Sequence, residues 1–470
     1  MENQTHPVRT FGKWFKESLF VKLLVIGFLV LILMIPNAMI SDLIRERAGR
    51  QQQVNREVSQ SWGQEQTLIG PVLTIPYNTT VRYDNDVRVE KKEYAHFLPQ
   101  QLNITGDLNH ELRQKSIFDV ILYRADVQLN GTFSAPDFAA LNINENDVLW
   151  DQARLSMGLT DMTGIREAVE LRIGERSERM EPGTADPRIL PKGVNSALAG
   201  EIAQTGFQFD IPLSFAGSYF LYVEPVGKTT AVKLSSDWHS PGFEGAFLPI
   251  EREISDAGFI ADWKVLDVNR SYPQQWTEDT YRFRNVRTRP AYSGTYAYAE
   301  MEAAQSVGEA AGAAFGVRFV QPVDGYLKTT RSAKYAILVI GLTFLIFFFF
   351  ETLKRVFVHP FQYLLIGLAL TVFYLLLLSI SEHLGFNPAY FIAALATIGL
   401  IGGYSYSVLD NNRPLVGQLV ALLIAIYLFI FVVLQLEDYA LLAGSIGIFV
   451  ALAAVMWGSR KVDWRNLRGS

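Results

Sequence analysis

The stretch Glu351–Phe386 reads "ETLKRVFVHPFQYLLIGLALTVFYLLLLSISEHLGF". Charged residues open it, about twenty almost purely apolar residues follow, and Glu382 and His383 close it. A bilayer core about 30 Å thick needs roughly 20 helical residues. Phe361–Ile380 meets that length, and both of the stretch's cations, Lys354 and Arg355, lie on its amino-terminal side.

Working outward, five further runs have the same character. Leu19–Ile40 is one, with Lys22 near enough to an end for its amine to snorkel. Tyr335–Phe350 is short but apolar, Ala389–Leu409 opens after Pro388, and Leu415–Leu434 and Tyr439–Trp457 complete the series. The mean hydropathy of +0.15 averages these runs with a long polar segment and describes neither. The first run has a basic flank, but it exceeds the apolar core of a signal peptide, and no small-x-small cleavage site follows it. It reads as an uncleaved signal anchor.

Short loops orient the spans, because Lys and Arg are retained on the cytoplasmic side. Arg9, Lys13 and Lys16 precede the first span, Lys354 and Arg355 separate the second from the third, and Arg413 separates the fourth from the fifth. Arg460, Lys461, Arg465 and Arg468 follow the sixth. The alternate loops, "SEHLGFNP" and "QLED", carry neither Lys nor Arg. This pattern predicts cytoplasmic termini (1–18 as a leader, 458–470 as a basic tail) and an outward segment over 41–334. The spans 335–350, 361–380, 389–409, 415–434 and 439–457 form a five-helix bundle at 335–457, separate from the first helix at 19–40.

The outward segment has β texture. "FQFDIPLSF" places Phe207, Phe209, Ile211, Leu213 and Phe215 on one face and Gln208, Asp210, Pro212 and Ser214 on the other. Pro212 suits an edge strand. "DVQLNGTF" alternates through Val127, Leu129, Gly131 and Phe133, and "SYFLYVEPV" and "TTAVKLSSDW" continue the pattern at intervals of roughly ten residues, the spacing of a sandwich-like antiparallel domain. Asp42–Trp62 and the Ala- and Glu-rich Tyr298–Phe315 look helical, as stalks or caps. The fold class is therefore a multi-pass α-helical membrane protein with a large extracytoplasmic β-rich, sandwich-like domain inserted between the first and second transmembrane helices.

There is no cysteine, which excludes thiol redox chemistry, thiolate metal sites and disulfide staples. No nucleophile elbow, phosphate-binding loop, dinucleotide fingerprint, zinc helix or calcium loop is present. The six histidines (His6, His96, His110, His239, His359 and His383) show no metal-ligand spacing. Asp237 and His239, in "SSDWHSPGF", are the nearest approach to a polar constellation, and they read as a tight aromatic turn with Trp238 and Phe243 packed and the polar groups capping backbone, rather than as a catalytic or metal site. No charge sits near the middle of a span, which weighs against a transporter. Gly399 with Gly403, Ala440 with Gly444 and Gly447 with Ala451 offer small faces for close helix packing. No catalytic, cofactor-binding or metal residue is assigned, and the chain reads as a non-enzyme.

Four blocks carry a family resemblance: "LIGPVLTIPY" (68–77), "SSDWHSPGFEGAFLP" (235–249), "QPVDGYLKTTRSAKYAIL" (321–338) and "HPFQYLLIGLALTVFYLLLLSISEHLGFNPAY" (359–390). Together they resemble the CreD family, bacterial inner-membrane proteins linked to cell-envelope integrity. The resemblance implies placement in the inner membrane, with the large domain periplasmic, and a part in an envelope-stress response. It brings no established catalytic residue. Two function classes follow. One is a non-enzymatic envelope protein whose β-domain binds a partner, lipid or glycan, and the other is a transport or lipid-handling protein working through its bundle. The lipid bilayer is an expected partner and an envelope partner is unidentified. Acidic balance and membrane placement argue against nucleic acid.

Overall fold

A computed structural model of the chain describes residues 19–82, 88–283, 313–320, 325–354, 356–436 and 440–460. The leader 1–18, most of the expected helix at Tyr298–Phe315, and residues 461–470 of the tail lie outside them. The chain divides into two compact units: Gln53–Pro322, and the helical remainder formed by residues 1–52 and 323–470.

Helix α1 spans Leu19–Trp62 without a break, so the first apolar run and the expected helix after Asp42 are one element. Its last turns, from Gln53, belong to the β unit. Helix α2 (Gly200–Thr205) is a single short element of the β unit. The others are α3 (Gly325–Lys334), α4 (Ala336–Lys354), α5 (Pro360–Leu384), α6 (Phe386–Val408), α7 (Arg413–Gln435) and α8 (Ala440–Ser459). Six of the described helices, α1 and α4 to α8, are long and apolar enough to cross a membrane.

Capping chemistry fixes where α5 begins. His359 is its N-cap, its ring nitrogen accepting from Phe361 N at 3.2 Å, while Gln362 Oε1 accepts from His359 N at 2.8 Å. Pro360, at the first helical position, loses nothing by lacking an N–H there. At the far end Gly385, at φ +77°, donates to the Ser381 carbonyl and stops the helix. The "HPFQ" block is thus a helix start. Helix α6 begins at Phe386, three residues before the expected start at Ala389, because a proline in the first turn removes only an N–H that has no intrahelical acceptor.

The helical core draws on α1 as well as on the later helices. Leu29 and Leu33 of α1 pack with Phe344, Phe347, Ile366 and Leu370. Gly367 makes room for Leu33, whose side chain a Cβ at that position would overlap. Helix α8 is peripheral: none of its apolar window is buried, and Ile446, Phe449, Leu452 and Met456 are exposed, as suits a lipid-facing surface. The expected close approach at Gly399 and Gly403 is not made, since nothing lies within 4 Å of a Cβ there; Gly402, on another side of α6, meets Val420. Gly447 does admit a neighbour, the Phe429 ring.

The β unit is built from β1 (Gln66–Arg82), β2 (Arg88–Phe97), β3 (Gln101–Lys115), β4 (Phe118–Phe133), β5 (Arg154–Leu159), β6 (Glu170–Ile173), β7 (Arg176–Arg179), β8 (Glu181–Pro182) and β9 (Gly193–Ala197). After α2 come β10 (Phe207–Ser218), β11 (Phe220–Val223), β12 (Thr229–Ser236), β13 (Pro241–Gly245), β14 (Glu251–Ser255), β15 (Gly258–Leu266), β16 (Gln275–Thr277) and β17 (Phe315–Phe319). One sheet runs β13-β17-β11-β1-β5-β9-β8, with β2 on β1 and β16 on β2; the other runs β14-β15-β12-β3-β4-β10-β6-β7. A single apolar core draws on both. Pairing is not wholly antiparallel: β1 with β11 and β3 with β12 run parallel. Phe315, placed in a helix by the sequence reading, opens β17 instead.

Alternation in β10 and β4 holds as read, with Phe207, Phe209, Ile211, Leu213 and Phe215 buried against Val127, Leu129 and Phe133. Gly131 is required because a Cβ would overlap the Gln101 carbonyl and the Phe209 ring. Pro212 lies inside the sheet order, yet its missing donor costs no ladder bond. The Ser214 carbonyl, on the same side of the strand, accepts from loop residue Arg166, and β6 pairs with β10 only at Asp210.

Candidate functional site

Because side chains alternate along a strand, burying one set in the core sends the other to the outer face. On the second sheet that outer face forms an open groove of about 640 Å³. Thr105 and Asp107 come from β3, Asp126 and Gln128 from β4, Ser214 from β10, Arg172 from β6, and Lys233 and Ser235 from β12. Glu167, in the segment before β6, closes one side.

The groove's cations are each paired with a carboxylate, whereas Asp107 and Asp126 have no cationic partner among the described residues. Lys233 Nζ lies 3.5 Å from Asp262, and Arg172 Nη1 lies 3.7 Å from Asp210, which also accepts from Gln128. At the centre Asp107 and Asp126 stand directly opposite each other on β3 and β4. Like charges so placed destabilise a sheet. Ser235 Oγ donates to Asp107 Oδ1 at 3.0 Å. Among the described residues no aromatic ring lines the groove, whose polar groups offer hydrogen bonds and charge. Among the described residues no three His, Asp or Glu side chains gather as metal ligands do.

Two polar clusters lie in the core. In the first, His96 Nδ1 is 3.1 Å from Thr74 Oγ1 and its Nε2 is 3.6 Å from Asp186 Oδ2, while Asp186 accepts from Arg188 Nε and Nη2. The order hydroxyl, imidazole, carboxylate is that of a nucleophilic relay. Yet Thr74, His96 and Asp186 are 2%, 0% and 3% exposed, so no hydroxyl is presented to a substrate. Burial drives the His96 pKa down to about 4, against the opposing pull of Asp186.

In the second cluster, Glu224 is 1% exposed, and its Oε1 lies 2.8 Å from the Tyr272 hydroxyl. Burial pushes the Glu224 carboxyl up to about 7, and the Tyr272 bond and the Arg270 charge only partly offset it. The Arg270 guanidinium lies over the Tyr272 ring at 4.3 Å, its nitrogens buried without a hydrogen-bond acceptor among the described residues. No local pattern in the sequence signals either cluster.

The sequence-level candidate does not assemble as a pair. Asp237 binds His110 of β3, Oδ1 to Nδ1 at 2.6 Å, while His239 is exposed. Trp238 is buried against His110 and Phe319, and its Nε1 donates to the Ser240 carbonyl. The turn is structural.

In the helical unit, Lys22 pairs with Glu351 at 2.9 Å instead of snorkelling, and Tyr363 approaches Glu351 at 3.4 Å. Glu382, near the other end of α5, meets Tyr326 at 3.0 Å and Arg47 at 3.8 Å.

Six apolar helices joined to a two-sheet domain define the class, a multi-pass protein embedded in the lipid bilayer. A family model described as "Inner membrane protein CreD" matches residues 18–465. Inner membrane protein CreD of Escherichia coli (strain K12) is 32% identical over 455 residues, covering 96% of this chain and 94% of that protein. The chain belongs to the CreD family of inner membrane proteins.

Proposed function

We propose that this is a non-enzymatic envelope-integrity protein whose β-domain faces the periplasm and binds an envelope partner, lipid or glycan through the outer groove of its second sheet. The charge bias of the short loops supports that orientation, with both termini cytoplasmic. The observation that carries the reading is the groove itself: about 640 Å³, open, polar, with two opposed carboxylates at its centre. The test fills it. Loss of the gene sensitises cells to membrane-active agents, and wild-type protein restores tolerance. A Ser214→Arg, Gln128→Arg variant at equal abundance fails to restore it, while Glu253→Arg on the exposed strand β14 succeeds. Full rescue by the filled groove overturns the reading.

A second reading is transport or lipid handling by the helices. The Lys22–Glu351 pair favours it, because ionisable groups inside spans commonly mark a path for substrate or protons. Rescue by the helices without the β-domain would select it.

A further inference from the structure

Trp62, the last residue of α1, is enclosed by cations. The guanidinium carbons of Arg113, Arg166 and Arg124 lie 4.5, 4.7 and 5.5 Å from its ring centre. They arrive from separate elements: Arg113 from β3, Arg124 from β4, and Arg166 from the segment before β6. On the sheet, Arg124 stands opposite Asn109, four residues from Arg113 along β3. Their backbones are therefore about 14 Å apart, and the side chains lean inward to meet at one indole.

Few of these charges are neutralised. Arg113 has one carboxylate, the exposed Glu111, at 3.0 Å. Arg166 Nη2 donates to the Trp62 carbonyl at 2.7 Å, which closes the end of α1. Neither Arg124 nor Arg166 has a carboxylate partner among the described residues. The Trp62 Nε1–H is buried and has no acceptor among the described residues. An indole face attracts a cation, but gathering three around one ring sets them against each other. Packing alone explains the contacts with the ring. It explains neither the unmatched charge nor the indole donor left without an acceptor.

We propose that Trp62, Arg113, Arg124 and Arg166 form a phosphate-binding site at the edge of the groove. Each guanidinium carries five N–H donors, of which Arg113 and Arg166 commit one apiece, and the fork of the others matches two oxygens of a phosphate. A tetrahedral phosphate offers enough oxygens for several forks and the indole N–H at once. The site adjoins the groove directly, since Asp126 is the next outward residue after Arg124 and Glu167 follows Arg166. The inference rests on reading the β-domain as a binding module and supplies the chemistry of its ligand. The phosphate comes from a lipid headgroup or from a soluble phosphate compound.

The test uses the full chain in an uncharged maltoside detergent with inorganic phosphate as the probe, read by phosphorus NMR line broadening. Saturable broadening is expected, weakened at least fivefold by Arg124→Gln and by Arg113→Gln and unchanged by Lys264→Gln, an exposed side chain of β15. Arg124→Lys keeps the charge without the fork and is expected to weaken binding several-fold; it also serves if the Gln variant does not fold. Nanodiscs separate the sources. If headgroups are the ligand, phosphatidylglycerol discs suppress the phosphate signal relative to phosphatidylcholine discs, and if a soluble phosphate is, the two behave alike. Absence of saturable broadening, or broadening undiminished in the arginine variants, overturns the site. Such a failure, with groove-filled variants still failing to rescue cells, leaves the binding-module reading standing.

Discussion

Lys22 Nζ and Glu351 Oε1 are 2.9 Å apart, joining the first apolar helix to the second, and the glutamate side chain is only 7% exposed. Removing one partner of a buried pair strands the other charge, at a cost of about 3–5 kcal/mol, whereas replacing both with apolar groups is often neutral. Lys22→Met, which strands the buried carboxylate, is therefore expected to lower the thermal stability of the helical unit in detergent, and Lys22→Met with Glu351→Leu to restore most of it. Equal losses in the single and double variants would show that the pair contributes nothing as a pair.

The two buried clusters of the β unit predict opposed pH dependences. Glu224 in the folded state holds its proton up to about pH 7, against an ordinary value of 4.5, so the fold binds the extra proton and loses stability as pH rises through that window. His96 releases its proton by about pH 4 instead of 6.5, so the unfolded chain binds the extra proton and stability falls as pH drops. Each effect is on the order of 3 kcal/mol, and the two nearly cancel in the wild type. Glu224→Gln should leave stability rising between about pH 4 and 6.5. His96→Asn should leave it falling between about 4.5 and 7. Denaturant unfolding followed by circular dichroism reads the slopes, and parallel profiles in both variants would contradict the assignment.

Glycine substitutions separate positions that look alike in sequence. At Gly131 a Cβ would run into the Gln101 backbone, which has no soft way to yield, so Gly131→Ala should cost about 1–3 kcal/mol or more. Gly399→Ala and Gly403→Ala meet open space and should stay within about 0.5 kcal/mol. Equal effects at Gly131 and Gly399 would overturn this ranking.

That contrast marks what a single sequence can disclose. The spans were legible because a bilayer demands about twenty apolar residues in a row, a purely local signal. The faces of β10 and β4 were legible because burial repeats every second residue. Partner choice was not: the parallel β1–β11 and β3–β12 pairs depend on register between distant segments. The expected tight face at Gly399 and Gly403 failed because small residues permit a neighbour without supplying one. The groove, the Thr74–His96–Asp186 cluster and the cations around Trp62 each join residues from three or more segments, so no spacing rule could bring them together.

Orientation is tested by reporters active only outside the cytoplasm. Fusions within Asn78–Gly325, and at Glu382 or Glu437, should be active, and those after Lys354, Arg413 or Arg465 silent. Lys354 carries the most weight, because it opens the stretch whose cations all lie on one side. An active fusion there would reverse the assignment for the third span.

Attachment of the β-domain at both ends gives the last prediction. Helix α1 enters it from one apolar segment, and α4 opens the next apolar segment after it. A domain attached at both ends cannot diffuse away from the bilayer, so its effective concentration toward a ligand held there exceeds that of a freely diffusing copy. If a groove ligand sits at that surface, the secreted domain without its helices should fail to restore tolerance to membrane-active agents at an abundance where the full chain succeeds. Raising its abundance about a hundredfold should recover part of the effect, since concentration then replaces attachment. Full rescue by the free domain at equal abundance would show that attachment is dispensable. Failure at every abundance would assign the helices a task beyond anchoring.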